Sequence, residues 1–265
     1  MQTALTIAGS DPSGGAGIQG DLKTFAAHGV YGMAVITALT AQNTVGVRGA
    51  YDVPPDFVRA QLEAVLDDLP VGAAKTGMLS VPETIEAVAS VLGSRPLPFL
   101  VVDPVMVATS GDSLLRDDAV DVIVARLFPL ATLITPNVPE AQRLTGMRIG
   151  TVSEMREAAE ALVGLGACAV LITGGHLDPE GDRVVDLLHA EGAFHEFGAA
   201  RLATPHTHGT GCALAAAIAA HLALGAALPD AVARARAFVR RGIEHAVVLG
   251  RGANPLNHLA AVADG

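Results

Sequence analysis

The sequence predicts an α/β fold, a three-layer α/β/α sandwich around a mostly parallel central sheet. Short β-branched or apolar runs alternate with helix-like stretches over most of the 265 residues. The runs are continuously apolar instead of alternating with polar residues, which implies strands buried on both faces. Several runs also end in a small polar cluster, as strands do where an open parallel sheet meets its ligand.

The first strand candidate is ALTIAG (4–9), followed past a glycine-rich turn by a helix over 17–28. MAVITAL (33–39) is the second strand, and a helix follows over 55–68. VGAAKTGM (71–78), FLVVDPV (99–105), TLITPN (132–137) and AVLITGG (169–175) supply four more strands. Helices over 82–92, 117–127, 139–145 and 153–165 separate them. DRVVDLLHA and AFHEFGA then read as a hairpin turning at EGA. Two long helices, about 210–225 and 229–248, close the chain. No Pro/Gly/Ser-rich linker and no internal repeat divides it, so residues 1–265 read as one domain.

Composition narrows the function classes. Half of the residues are hydrophobic (51%), yet only 3% are aromatic and none is Trp, so Ala, Val and Leu must fill the core. The net charge is −10 and no basic run occurs, which argues against nucleic-acid and membrane partners. The start MQTALTIAGSDPSGG lacks the marks of a secretory leader, so cytoplasmic location and reduced thiols at Cys168 and Cys212 are expected. The apolar run over 212–228 is mostly alanine and contains His221, which suits a buried helix better than a membrane span. Of 17 basic residues only Lys23 and Lys75 are lysines, a usage that reads either as lysine kept where a compact ammonium is needed or as chance at two surface sites.

The strand-end clusters GSDPSGG, AQNT, KTGM, DPVM, TPN and TGGH should line one crevice. GAGIQG (15–20) matches G-x-G-x-x-G formally, but SDPSG separates it from the strand and no acid ends the next strand, so it is not a dinucleotide fingerprint. P-loop, G-x-S-x-G and H-E-x-x-H patterns are absent. In HGTGC (208–212) a Gly-Thr-Gly loop runs into a helix and presents free N–H groups to an anion. Cys212 on the first turn is expected to have a pKa below the free value of about 8.5. As a lone residue it reads first as a small core side chain, with a redox thiol or a metal ligand beside His206 and His208 as the weaker readings. Asn137, Glu140 and Asp103 stand at strand ends, where single residues of these types are turn or cap residues. Taken together beside an anion loop, their oxygens suit Mg²⁺ held next to polyphosphate and argue for phosphoryl transfer.

ALTIAGSDPSGGAGIQGDLKTF, YGMAVITALTAQNTVGV, KTGML, VVDPVMVATSGDSLL, LITPNVPEA, GGH, HGTGCALAAAIAAHLALG and GRGANPLNH follow one another from residue 4 to 258. With these stretches the chain resembles the hydroxymethylpyrimidine/phosphomethylpyrimidine kinases of thiamine biosynthesis, members of the ribokinase-like superfamily. The resemblance implies a ribokinase-like fold, ATP and Mg²⁺, a homodimer, and two successive phosphorylations of 4-amino-5-hydroxymethyl-2-methylpyrimidine. It implies that Gly9, Ala16, Gln42, Met78 and Val105 surround the pyrimidine, with Gln42 bonding its polar edge. Gly209, Thr210 and Gly211 would form the anion hole, and Cys212 would take the hydroxymethyl proton. Asn137, Glu140, Thr173 and Gly175 would face ATP, with Asp103 and Glu140 near the metal. Asp21 and Lys23 match the family's DLKT without an assigned role.

Two positions depart from the family pattern. Thr109 stands in ATSG where relatives read AKSG, and Thr173 stands in TGGH where relatives read KGGH. Both remove a lysine from the expected phosphate path. These departures leave open a pyrimidine-binding homologue with impaired catalysis, and a pyridoxine/pyridoxal kinase stays open because its substrate is also a small hydroxymethyl-bearing ring. The small polar segment ATSGDS suits a loop that closes over the site.

Overall fold

The computed structural model describes residues 1–107, 114–177 and 182–260. Thr109 and the ATSGDS segment lie outside the described residues. One nine-stranded sheet runs through the molecule in the order β3-β2-β1-β4-β5-β6-β7-β8-β9. Its strands are β1 (Thr3–Ser10), β2 (Tyr31–Asn43), β3 (Gly46–Asp52), β4 (Ala73–Thr76), β5 (Leu100–Val102), β6 (Leu133–Ile134), β7 (Val170–Ile172), β8 (Arg183–Ala190) and β9 (Ala193–Ala200). From β2 to β7 all neighbours pair parallel, whereas β3, β8 and β9 add on antiparallel. The predicted mostly parallel sheet is thus observed.

Helices α1 (Gly17–Ala27), α7 (Thr210–Ala223) and α8 (Leu228–Glu244) cover one face. The other face carries α2 (Pro55–Asp68), α3 (Pro82–Ser94), α4 (Asp117–Arg126), α5 (Val138–Thr145) and α6 (Val152–Gly164). The alanine stripe of α7 explains its central place. Ala213, Ala215, Ala216, Ala217, Ala219 and Ala220 are fully buried, so short side chains let α7 approach the sheet and α1 closely. No helix among the described residues is long and apolar enough to cross a membrane.

Three details differ from the sequence expectation. The strands expected over 71–78, 99–105, 132–137 and 169–175 are only two to four residues long. Their polar ends leave the ladder and turn into the site. In the opposite direction, β2 extends past 39 to Asn43, and β3 follows it as an unexpected antiparallel neighbour. Residues 48–52 of β3 are exposed, so no buried face writes an apolar pattern into GVRGAYD. Finally α8 stops at Glu244 instead of 248, with His245 at its C-cap.

Behind the sheet, His28 of α1 meets His221 of α7 edge to face and Phe238 of α8 at a tilt, with ring centroids 4.6 Å apart in both pairs. Burial, helped by His28, holds His221 down at about 4, and burial also lowers His28. Burial beside Lys23 and His208 brings His258 to about 4 as well. These imidazoles refuse a proton that the unfolded chain accepts near 6.5, so stability present at neutral pH is lost as pH falls from about 6.5 toward 4. His221 and His258 should each cost roughly 1–2 kcal/mol at pH 5. A melting series from pH 7.5 to 4.5 tests this, since His221→Gln should flatten the decline in Tm.

Candidate active site

The parallel order β2-β1-β4 places a topological switch at β1, where connections leave in opposite directions along the sheet. Ligands bind beyond the carboxyl ends of the strands at such a point. A cavity of about 940 Å³ opens there. Gly9 comes from β1, Ala16 from the turn before α1, and Gln42 from the extension of β2. Met78, Asp103, Val105, Asn137, Thr173 and Gly175 follow the ends of β4, β5, β6 and β7, and Glu140 sits on α5. Gly209, Thr210, Gly211 and Cys212 close the cavity from the start of α7. All the residues expected around the pyrimidine, the phosphates and the metal therefore meet in one cavity.

Gly209 caps α7 in the left-handed conformation, at φ 78°. The first-turn N–H groups of a helix have no intrahelical partner, so Gly211 and Cys212 present theirs to the cavity end. Loop 207–211 is locked onto loop 11–16. Asp11 accepts bonds from Ser13 N (2.9 Å), Ser13 Oγ (2.7 Å), Ala16 N (3.0 Å) and His208 Nε2 (2.8 Å). Burial pushes Asp11 up, but the bonds from His208 and Ser13 outweigh it and hold the carboxyl at about 2. No cluster of three or more His, Cys, Asp or Glu that could hold a metal occurs among the described residues, so the structure gives the metal reading of His206, His208 and Cys212 no support.

Cys212 corrects one expectation. The helix terminus alone predicts a lowered thiol pKa, yet burial pushes the thiol up to about 11. Lys75 and a backbone hydrogen bond from Gly17 pull it down, while Asp21 and Asp103 raise it further. Loss of hydration outweighs half a positive charge at the helix end. Iodoacetamide should therefore modify Cys212 slowly at pH 7.5, with a rate still climbing at pH 10. A rate plateau below pH 8, read by peptide mass spectrometry against the exposed Cys168, would contradict the burial argument.

Asn137 and Glu140 form a capping box on α5. Glu140 N donates to Asn137 Oδ1 and Asn137 N to Glu140 Oε2, both at 2.9 Å. The Met106 N–H reaches Glu140 Oε1 at 3.3 Å. Both residues are thus caps by local geometry while lining the cavity. Asp103 is also buried, with Thr135 Oγ1 3.5 Å away. Burial raises Asp103 to about 6 despite Lys75, and burial beside Asp103 raises Glu140 to about 8. Two buried carboxylates that resist ionising together are a fitting oxygen donor set for a divalent cation completed by phosphates.

Sequence reasoning missed the arginines. Arg201 Nη1 and Nη2 donate to Gly175 O (2.9 Å) and Leu177 O (3.0 Å), so Arg201 braces the turn that follows Thr173. Asp186 accepts from Gly174 N (2.8 Å) and from Arg236 Nε (2.6 Å), tying α8 to the same turn. Arg143, Arg201, Arg236 and Arg240 all line the cavity. They come from helix faces and a strand end whose sequence carries no motif. Asp11 and His208 did lie in quoted motifs, and only the fold reveals that they bond each other.

A family model described as phosphomethylpyrimidine kinase matches residues 11–257. The chain belongs to that family. It is 51% identical over 261 residues to the hydroxymethylpyrimidine/phosphomethylpyrimidine kinase of Rhizobium meliloti, covering 96% of each chain. It is 53% identical over 262 residues to the thiamine biosynthesis bifunctional protein ThiED of Geobacter sulfurreducens, covering 99% of this chain and spanning about half (53%) of that longer protein. Among solved structures, an ADP complex of Bacillus subtilis pyridoxal kinase superposes with a TM-score of 0.91 at 38% identity, covering 99% of each chain. The fold is that of the ribokinase-like kinases, as the sequence implied.

Proposed function

We propose that this phosphomethylpyrimidine kinase family member phosphorylates 4-amino-5-hydroxymethyl-2-methylpyrimidine with ATP, and then phosphorylates the monophosphate to the diphosphate. The observation that carries the reading is convergence. The residues matched to the pyrimidine pocket, the anion loop and the paired carboxylates open on one cavity. Gln42 orients the ring's polar edge, with Gly9, Ala16, Met78 and Val105 around it. Gly209, Thr210 and Gly211 bind the transferred phosphoryl oxygens, and Asn137, Glu140, Thr173 and Gly175 face the nucleotide. Bound beside Asp103 and Glu140, Mg²⁺ would neutralise charge on the phosphates and on these carboxylates. Arg201, which braces the turn after Thr173 and lines the cavity, supplies cationic charge at the end where Thr173 replaces a lysine.

Cys212 enters the step as thiolate, its own proton having passed to solvent. The substrate O–H bond breaks as the new O–P bond forms, the proton goes to Cys212 Sγ, and the electron pair of the cleaved P–O bond leaves on ADP. A loose transition state demands the proton late, so a small thiolate population suffices. On the resemblance alone the enzyme acts as a homodimer.

Pyrimidine-dependent ADP release with phosphorylated product is the deciding assay. Pyrimidine binding without product would favour the impaired homologue. Cys212→Ala should lower kcat about tenfold or more with pyrimidine binding intact, and an unchanged kcat would reject the base assignment. Because the pyridoxal kinase structure superposes so closely, pyridoxal is the second substrate to assay. The proposed reading requires a higher kcat/KM for the pyrimidine.

A further inference from the structure

Between β4 and α1 lies a buried ion pair that neither packing nor the assigned chemistry explains. Lys75 of β4 and Asp21 of α1 are both completely buried, with Nζ 3.0 and 3.2 Å from the two carboxylate oxygens. Thr6 Oγ1 of β1 donates to Asp21 Oδ2 at 2.6 Å. Gly77 makes room for the ammonium, since a Cβ there would stand 2.8 Å from Nζ. A buried pair is weak support for stability, because apolar side chains of similar volume fill such a site as well. Its place in the fold is what distinguishes it. The start of α7 packs against the start of α1, where Gly209 meets Gly15 and Ala16 and the Gly17 N–H bonds the Cys212 thiol. Asp21, bonded to Lys75, lies one turn further along α1, and Asp103 follows the strand beside β4. Lys75 acts electrostatically on both.

We propose that Lys75, held in place by Asp21 and Thr6, is a positioning residue for phosphoryl transfer: its fixed ammonium supports the negative charge of Cys212. The idea rests on Cys212 as proton acceptor. Asp21 carries the opposite charge, so the geometry of the pair matters as much as its presence. Two bonds from Lys75 and one from Thr6 keep the Asp21 carboxylate satisfied. The ammonium then serves the thiolate and Asp103 in addition to its partner.

The test is a cycle in two backgrounds. Lys75→Met combined with Asp21→Leu removes both charges together. With Cys212 present, the expected result is a fall in kcat of up to about tenfold, little change in pyrimidine KM, and slower iodoacetamide modification of Cys212 at fixed pH. In a Cys212→Ala background the same two changes should leave kcat where that variant already has it. Equal losses in both backgrounds, or no loss with Cys212 present, would overturn the proposal. If Cys212→Ala alone leaves kcat unchanged, it is the base assignment that fails, and the two failures stay distinct. Should the charge-free variant not fold, Thr6→Val carries the same cycle. It loosens Asp21 without removing a charge, and slower Cys212 modification with lower kcat is expected. Unaltered values of both would count against the pair.

Discussion

Gly209→Ala is expected to lower kcat/KM for pyrimidine phosphorylation by about a hundredfold or more while the protein still folds. Two constraints meet at this residue. Its φ of 78° is a conformation that costs a non-glycine residue roughly 1–2 kcal/mol. An added Cβ would also overlap the Gly15 carbonyl, which is backbone and cannot swing away. The anion loop and loop 11–16 must therefore separate, and a shift of about 1 Å between reacting groups is enough for a loss of this size. The melting temperature should fall by only a few degrees. At Gly211 an added Cβ meets nothing within 4 Å, so Gly211→Ala should leave the melting temperature unchanged. Steady-state kinetics paired with thermal melts separates the outcomes. A Gly209→Ala enzyme with normal kcat/KM would mean that the interlock between the loops does not set the phosphate position.

Asp103→Asn should produce the second large loss, about two orders of magnitude in kcat/KM, with a higher Mg²⁺ concentration needed for half-maximal rate. The same substitution should make Cys212 more reactive toward iodoacetamide, because Asp103 is one of the charges that keep the thiol protonated. Stability should hold or rise, since the variant relieves a carboxylate buried beside Glu140. Lower turnover with a livelier thiol is a pattern that simple unfolding cannot produce. Unchanged Mg²⁺ dependence would remove Asp103 from the metal site.

Much of the site was legible because strand ends in a parallel sheet are marked twice, once by an apolar run and once by the polar cluster that stops it. That double mark located Gly9, Met78, Asp103, Asn137 and Thr173 at one end of the sheet before any geometry was known. The hairpin of β8 and β9 was equally legible, since the EGA turn sits between two strand-like runs. Strand β3 was not, because an exposed edge leaves no periodic trace. Arg201 and Arg236 were hidden for a related reason: an arginine on a helix face or strand end looks the same whether it meets solvent or a phosphate. The direction of the Cys212 shift was misjudged because a sequence shows the helix terminus but not the burial that outweighs it. Lys75 was noted as one of two lysines, and only the fold shows its ammonium wholly enclosed with Asp21.

The bond between Asp11 and His208 joins residues 197 positions apart in the chain. His208 is steadied in turn by Asn254, whose carbonyl accepts its N–H. A nascent chain that has released β1 to β6 holds the residues proposed for the pyrimidine but still lacks the proposed anion loop. The proposed phosphate grip therefore forms only once residues 207–212 have folded back onto loop 11–16.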